Sequence, residues 1–322
     1  MSQHMPSPAP IRQVRSGHHM EKKQNQIVAL MHLERPEDVS AEVRQLVLSV
    51  YPRFDFSYFD GTFADTVRLF RGDYPGYRKC NVRYHDLTHT MLVLLAMARL
   101  IHGALISGQE ISEKGVTLGL MSALTHDAGY IQTSSETTGT GAQYTLVHIK
   151  RSIDFVRGYL SKDDLWKGEL KRFSDILRCT GLDTKVSRIR FSSPETELLG
   201  QMLGTADLLG QMADRVYLEK LHSLYYEFKE AHVPGFDSEV DLLQKTLAFY
   251  EETKRRLVHE LGNTRTFMLA HFKSRYGIDR DLYSEYISRN MAYLDYVITH
   301  HREDYTQYLR RGNVASFLPF QG

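Results

Sequence analysis

Proline placement constrains this chain more than any other feature. Pro6, Pro8, Pro10, Pro36 and Pro52 crowd the start, and between Pro75 and Pro234 only Pro194 intervenes. A proline inside a helix removes a backbone donor and clashes with the preceding turn, so long proline-free stretches are free to be helical. Here those stretches carry apolar residues three and four apart, and strand-like alternation is scarce. The expectation is an all-α fold, a helical bundle. Helices are expected over 40–50, 64–71, 84–106, 113–127, 143–160, 163–179, 195–230, 238–261, 264–276 and 281–310, with Ser40 as an N-cap and a turn at Gly72–Tyr77. The longest gap among the central helices, Ala128–Ala142, is rich in Ser, Thr and Gly, and no repeat of fixed period is visible.

At 322 residues and 42% hydrophobic, the chain can bury a sizeable core. Forty Lys plus Arg against 39 Asp plus Glu give no support for a nucleic-acid binder held by bulk charge. Cys80 and Cys179 cannot form a disulfide framework. Residues 1–26 are polar and proline-dotted and read as a disordered tail without the apolar core of a signal peptide. The most apolar stretch, Met91–Ile106, is broken by Arg99 and His102 and falls short of the roughly 20 residues of a membrane span. A cytoplasmic protein without a membrane partner is expected. The tyrosines of 281–311 suit faces of a long helix that closes the core or forms a homodimer contact.

The candidate chemistry lies in three separated fragments. In Tyr84-His85-Asp86-Leu87-Thr88-His89, two histidines four apart share a face if the segment is helical. Both can bind one metal, or one can bind while the other handles protons; both can also be merely packed. An apolar helix, Leu118–Leu124, runs into His126-Asp127 and then Gly129. A carboxylate beside an imidazole in such a place is costly to bury unless a cation compensates, and its two oxygens can bridge two ions. Asp207 is embedded in Leu203-Gly204-Thr205-Ala206-Asp207-Leu208-Leu209-Gly210, where a salt-bridged helix residue is the plainer alternative. Together His89, His126, Asp127 and Asp207 form a mixed imidazole–carboxylate set that suits Mn, Fe, Zn, Co or Mg, and all-helical bundles build metal sites from separate helices in this way.

This pattern resembles the HD-domain metal-dependent phosphohydrolase superfamily, and the string Tyr84-His85-Asp86-Leu87-Thr88-His89 is similar to the Y-H-N-x-x-H segment of class I cyclic nucleotide phosphodiesterases. The resemblance spans roughly 80–230 and marks that stretch as the catalytic core, with 27–79 as a helical extension and 231–322 as helices packed on it. It implies a phosphodiesterase-like bundle. Two divalent ions would be bridged by Asp127, with His85 as proton donor to the leaving oxygen. Asp86 stands where that family has Asn. The branch that cleaves cyclic di-GMP has an adjacent His-His and a Gly-Tyr-Pro motif; here the corresponding place reads Arg178-Cys179-Thr180-Gly181, which argues against that substrate. His148 is a candidate for the second ion or a phosphate, Glu136 for the second ion through water, and Thr138 and Thr140 for phosphate contact. Gln244 and Phe249 are possible counterparts of the family's base clamp. The expected activity is hydrolysis of a small nucleotide phosphodiester. The alternatives are an HD-type phosphomonoesterase, a di-iron oxygenase and a nucleotide-binding regulator.

Overall fold

A computed structural model of the chain describes residues 35–309, together with Met31 and Leu33. The expected tail, 1–26, and the last residue of the expected C-terminal helix lie outside the described residues. The chain divides into two units, 1–33 and 34–322. The second carries twelve α-helices among the described residues and no strand, an all-α fold.

Helices α1 (Pro36–Val50), α2 (Ser57–Arg71), α3 (Leu87–Ile106) and α4 (Glu113–Thr125) come first. They are followed by α5 (His148–Leu160), α6 (Leu170–Arg178), α7 (Pro194–Met212) and α8 (Tyr217–Glu230). The set closes with α9 (Glu239–His259), α10 (Thr266–Tyr276), α11 (Leu282–His300) and the one-turn α12 (Tyr305–Tyr308). Pro36 and Pro194 both open helices, where a missing N–H costs nothing. Side-chain caps fix other starts: Ser112, Ser193, Ser238 and Asp281 each accept a hydrogen bond from a backbone N–H in the first turn. The first helix therefore starts one turn ahead of Ser40, because Pro36 rather than Ser40 begins it.

The centre is α3. Its sequence is apolar on all sides, long and apolar enough to cross a membrane, and it is buried here under α1, α4, α7 and α10. Gly210 of α7 faces the α3 backbone; a Cβ there would stand 3.2 Å from the Leu92 carbonyl, so glycine lets the two helices close up. Arg99, fully buried in α3, donates to the Tyr283 hydroxyl at 3.0 Å and lies over the Phe272 and Tyr283 rings.

Two expected helices differ in ways that matter. The expected helix over 84–106 begins only at Leu87, since the Asp86 side chain caps it by accepting from the His89 N–H at 2.9 Å. Tyr84 and His85 therefore precede it. The expected helix over 195–230 breaks at 213–216, although no proline or glycine lies there. The Asp214 carboxylate accepts from the Val216 N–H at 3.1 Å, and the buried Asn290 amide donates to the Met212 and Asp214 carbonyls, each at 2.9 Å. The freed backbone groups are thus satisfied from α11, and α8 can fold back.

Beneath α10, His271 and His102 meet at 3.3 Å through their Nδ1 atoms. Burial, with Arg99, His102 and Arg275 adding to it, pushes His271 down to about 2, and burial also lowers His102. A depressed histidine favours the fold above the unfolded value near 6.5 and costs stability as pH falls below it. His271 alone is expected to remove about 1.4 kcal/mol per pH unit below pH 6. Urea unfolding at pH 7, 6 and 5 checks this: His271→Gln should flatten the loss, and an unchanged slope would contradict a neutral buried His271.

Candidate metal centre

The end of α4 delivers two of the side chains. His126 is the first residue past the helix, and Asp127 turns the chain into a short 3-10 segment, 128–130. The His126 ring is oriented by an Nδ1–H donated to the Ala123 carbonyl at 2.8 Å, which leaves Nε2 with its lone pair inward. Gly129 must be glycine: a Cβ would fall 2.0 Å from the His148 carbonyl oxygen. That close approach docks α5. Ser152 links the two segments, donating to the His126 carbonyl at 2.5 Å and accepting from the Gly129 N–H at 2.9 Å.

α3 and α7 supply the rest. His89 Nε2 lies 3.2 Å from His126 Nε2, 3.2 Å from Asp127 Oδ2 and 3.3 Å from Asp207 Oδ1. His126 Nε2 is 3.2 Å from Asp127 Oδ2 and 3.8 Å from Asp207 Oδ1. His89, His126 and Asp127 are buried and form one group that could hold a metal ion; Asp207, partly exposed on its side chain, borders both imidazoles. Ligand bonds of about 2.1 Å place neighbouring ligand atoms roughly 3.0–3.4 Å apart, so the donor set fits a divalent cation. The charge balance agrees. Asp127 Oδ2 is buried without a hydrogen-bond partner, which is costly unless a cation meets it.

Without a metal, protons carry that compensation. Burial opposes charge on His89, yet the carboxylates of Asp127 and Asp207 push it up to about 10. Burial likewise opposes charge on His126, and the Asp127 carboxylate overcomes it and raises the ring. Burial works against the Asp127 anion, while the adjoining imidazoles hold it well below the usual carboxylate range.

Asp127 divides its oxygens. Oδ2 faces the two histidines just described, and Oδ1 lies 3.9 Å from His148 Nε2. His148 opens α5, and its Nδ1–H goes to the Thr145 carbonyl at 2.6 Å, so Nε2 is the free nitrogen. Burial holds the His148 ring below the usual value.

His85, the residue ahead of the cap, is fixed by a partner that the sequence did not identify. Its Nδ1 meets Glu227 Oε2 at 2.7 Å, while Glu227 Oε1 accepts from the backbone N–H groups of Arg83 and Tyr84 at 2.8 and 2.6 Å. A carboxylate can only accept, so Nδ1 carries the proton and Nε2 is available for proton exchange. The ring stacks on buried Tyr130, centroids 4.3 Å apart and planes within 10°, and lies 5.7 Å from His89. His148 stacks on the same Tyr130 at 4.7 Å. Glu227 sits on the stretch Leu221–Phe228, whose apolar and aromatic residues read as core; the available signal was a carboxylate three residues beyond Leu224 and six beyond Leu221, on the apolar stripe.

The loop residues have other duties. Glu136 is bound in both oxygens by Arg151, at 2.8 and 2.9 Å, and accepts from the Thr133 N–H, so its carboxylate ties the loop together. Arg151 holds it down to about 2. Thr140 caps the 3-10 segment 141–144 and binds Glu230 through its N–H and hydroxyl at 2.5 and 2.7 Å. Thr138 is exposed and its carbonyl accepts from Gln132 and Gln143. Gln244 and Phe249 lie on α9, and no hydrogen bond or ring contact among the described residues ties them to the His–Asp group. The expected phosphate and base contacts thus find no support at these positions.

Residues 76–263, more than half of the chain and the whole of the His–Asp group, match the model of a family described as Npun_R2479-like. No curated protein matches the chain.

Proposed function

We propose that this chain, which belongs to the Npun_R2479-like family, is a metal-dependent phosphohydrolase acting on a small nucleotide phosphodiester. The observation that carries the reading is the His85–Glu227 pair, a proton-handling group set beside a buried imidazole–carboxylate cluster. His89, His126, Asp127 and Asp207 would hold a first divalent ion, and Asp127 Oδ1 with His148 would border a second. Such an ion supplies Lewis-acid polarisation of a phosphoryl oxygen and a nucleophile from water at neutral pH. The protein's own residues do the rest. Glu227 keeps the His85 proton on Nδ1 and stabilises the ring when Nε2 is also protonated. Nε2 then gives its proton to the departing alkoxide, which a diester needs because an unprotonated alkoxide leaves poorly. Tyr130 fixes the plane of the ring. The buried walls of α3 and α4 keep bulk water from the ligand side of the cluster. The resemblance of the Tyr84–His89 string to the class I phosphodiesterases supports the same assignment.

The test is a paired assay on bis-p-nitrophenyl phosphate and p-nitrophenyl phosphate, with Mn²⁺, with Mg²⁺ and with a chelator. Metal-dependent cleavage that favours the diester is the expected result. Cleavage of the monoester alone would replace the phosphodiesterase with a phosphomonoesterase, and inertness toward both would sink the hydrolytic reading.

A further inference from the structure

A second site lies on the segment that follows α6. An open groove of about 560 Å³ is lined by Lys171, Arg178, Lys185, Arg188 and Arg190, against two carboxylates, Asp175 and Asp183. One of these is already spent: buried Asp175 pairs with Lys171, which also donates to the Arg190 carbonyl at 2.8 Å. The other, Asp183, lies within electrostatic reach of Arg256. The side chains of Arg178, Lys185, Arg188 and Arg190 are exposed, and no ion pair or hydrogen bond engages them among the described residues. In a chain whose overall charge is only +1, this is a concentrated positive site.

The frame beneath these cations is built and not loose. Arg256 of α9 donates to four carbonyls of the segment: Leu182 and Thr184 from Nη1 at 3.0 and 3.2 Å, Cys179 and Gly181 from Nη2 at 3.0 and 2.8 Å. Glu260 accepts from the Val186 N–H at 2.8 Å. Holding cations together in advance costs folding free energy through their mutual repulsion, and an anionic ligand recovers it on binding.

We infer that this groove binds a small ligand carrying two or more phosphate groups, at a site separate from the His–Asp group. Arginine forks match phosphate oxygens in pairs, and three arginines with a lysine offer more donors than one phosphate can use. The groove has the volume of a small-molecule site. No aromatic ring lines it, whereas single-stranded nucleic acid is held by stacking platforms as well as charge. This inference is independent of the hydrolytic reading.

The test is calorimetric titration of the full chain with inorganic triphosphate, in the presence of a chelator so that the His–Asp group stays empty. Binding is expected to persist, to weaken with added salt, and to fall at least about tenfold in the Arg178→Ala/Arg188→Ala double variant. Both positions are exposed, so the fold should survive; a circular dichroism melt verifies it. Undiminished binding by the double variant would overturn the site, as would absence of binding at millimolar triphosphate. Binding that needs the metal would assign the anion to the His–Asp group instead. Tighter binding of a single-stranded RNA oligonucleotide, lost in the same variant, would overturn the small-ligand class.

Discussion

Asp127→Ala should lose metal and hydrolysis together. The residue's oxygens face two groups at once, Oδ2 toward His89 and His126, Oδ1 toward His148. Asp207 Oδ1 borders the two imidazoles at 3.3 and 3.8 Å, while the contact to His148 is made by Asp127 Oδ1. Removing an outer-shell partner of a metal typically costs 10–100-fold in affinity, so loss of this ligand should exceed about 10²-fold. The protein should still fold, since the substitution removes a buried anion whose oxygen Oδ2 lacks a hydrogen bond. Elemental analysis after dialysis, beside the diester assay, checks both effects. A variant that kept its metal, or lost activity with metal intact, would remove Asp127 from the ligand set.

His85→Ala should separate the two properties. The ring is bound to Glu227 and stacked on Tyr130, so its removal leaves the ligand atoms in place. Metal content is expected to stay at the wild-type level while diester turnover falls about 10²–10⁴-fold, the usual worth of a positioned general acid. Glu227→Gln should cost less, about 10–10²-fold, because the amide can turn its NH₂ to Nδ1 and force the proton onto the other ring nitrogen. A substrate with a good leaving group, such as a p-nitrophenyl diester, should be less sensitive to His85→Ala than an alkyl diester. Equal sensitivity, or metal lost from His85→Ala, would end the proton-donor assignment.

The sequence made the clustered His and Asp residues legible for a physical reason. His89 and Asp207 are polar groups on otherwise apolar helices, and His126-Asp127 directly follows one; such placements are costly without compensation, so they stand out from the periodic pattern. The all-α class was legible from proline spacing for the same kind of reason, since Pro36 and Pro194 occur only where a helix starts. What stayed hidden depends on contacts between distant segments. Glu227 reads as one more charge on an amphipathic helix until α8 folds back and brings it to Arg83, Tyr84 and His85. The break that permits this has no local breaker residue; it is set by Asp214 and by Asn290, 76 residues further on. Glu136 and Thr140 look free in sequence because Arg151 and Glu230, which take them, cannot be paired with them by spacing. Asp86 shows the opposite lesson: it departs from the Asn of the resembled segment, and here it is the cap that separates His85 from the helix bearing His89.

The Asn290 contacts also bear on how the chain can be cut. The family match ends at residue 263, so a fragment trimmed to it would keep the whole His–Asp group and Glu227. It would nevertheless discard α11, and with it the amide that holds the Met212 and Asp214 carbonyls in the turn. Arg99 would lose Tyr283 and Phe272 in the same stroke. The unit that can be expressed, swapped or grafted therefore runs beyond the unit that is recognisable by similarity, and the segment outside it acts as a brace for the turn that brings Glu227 to His85.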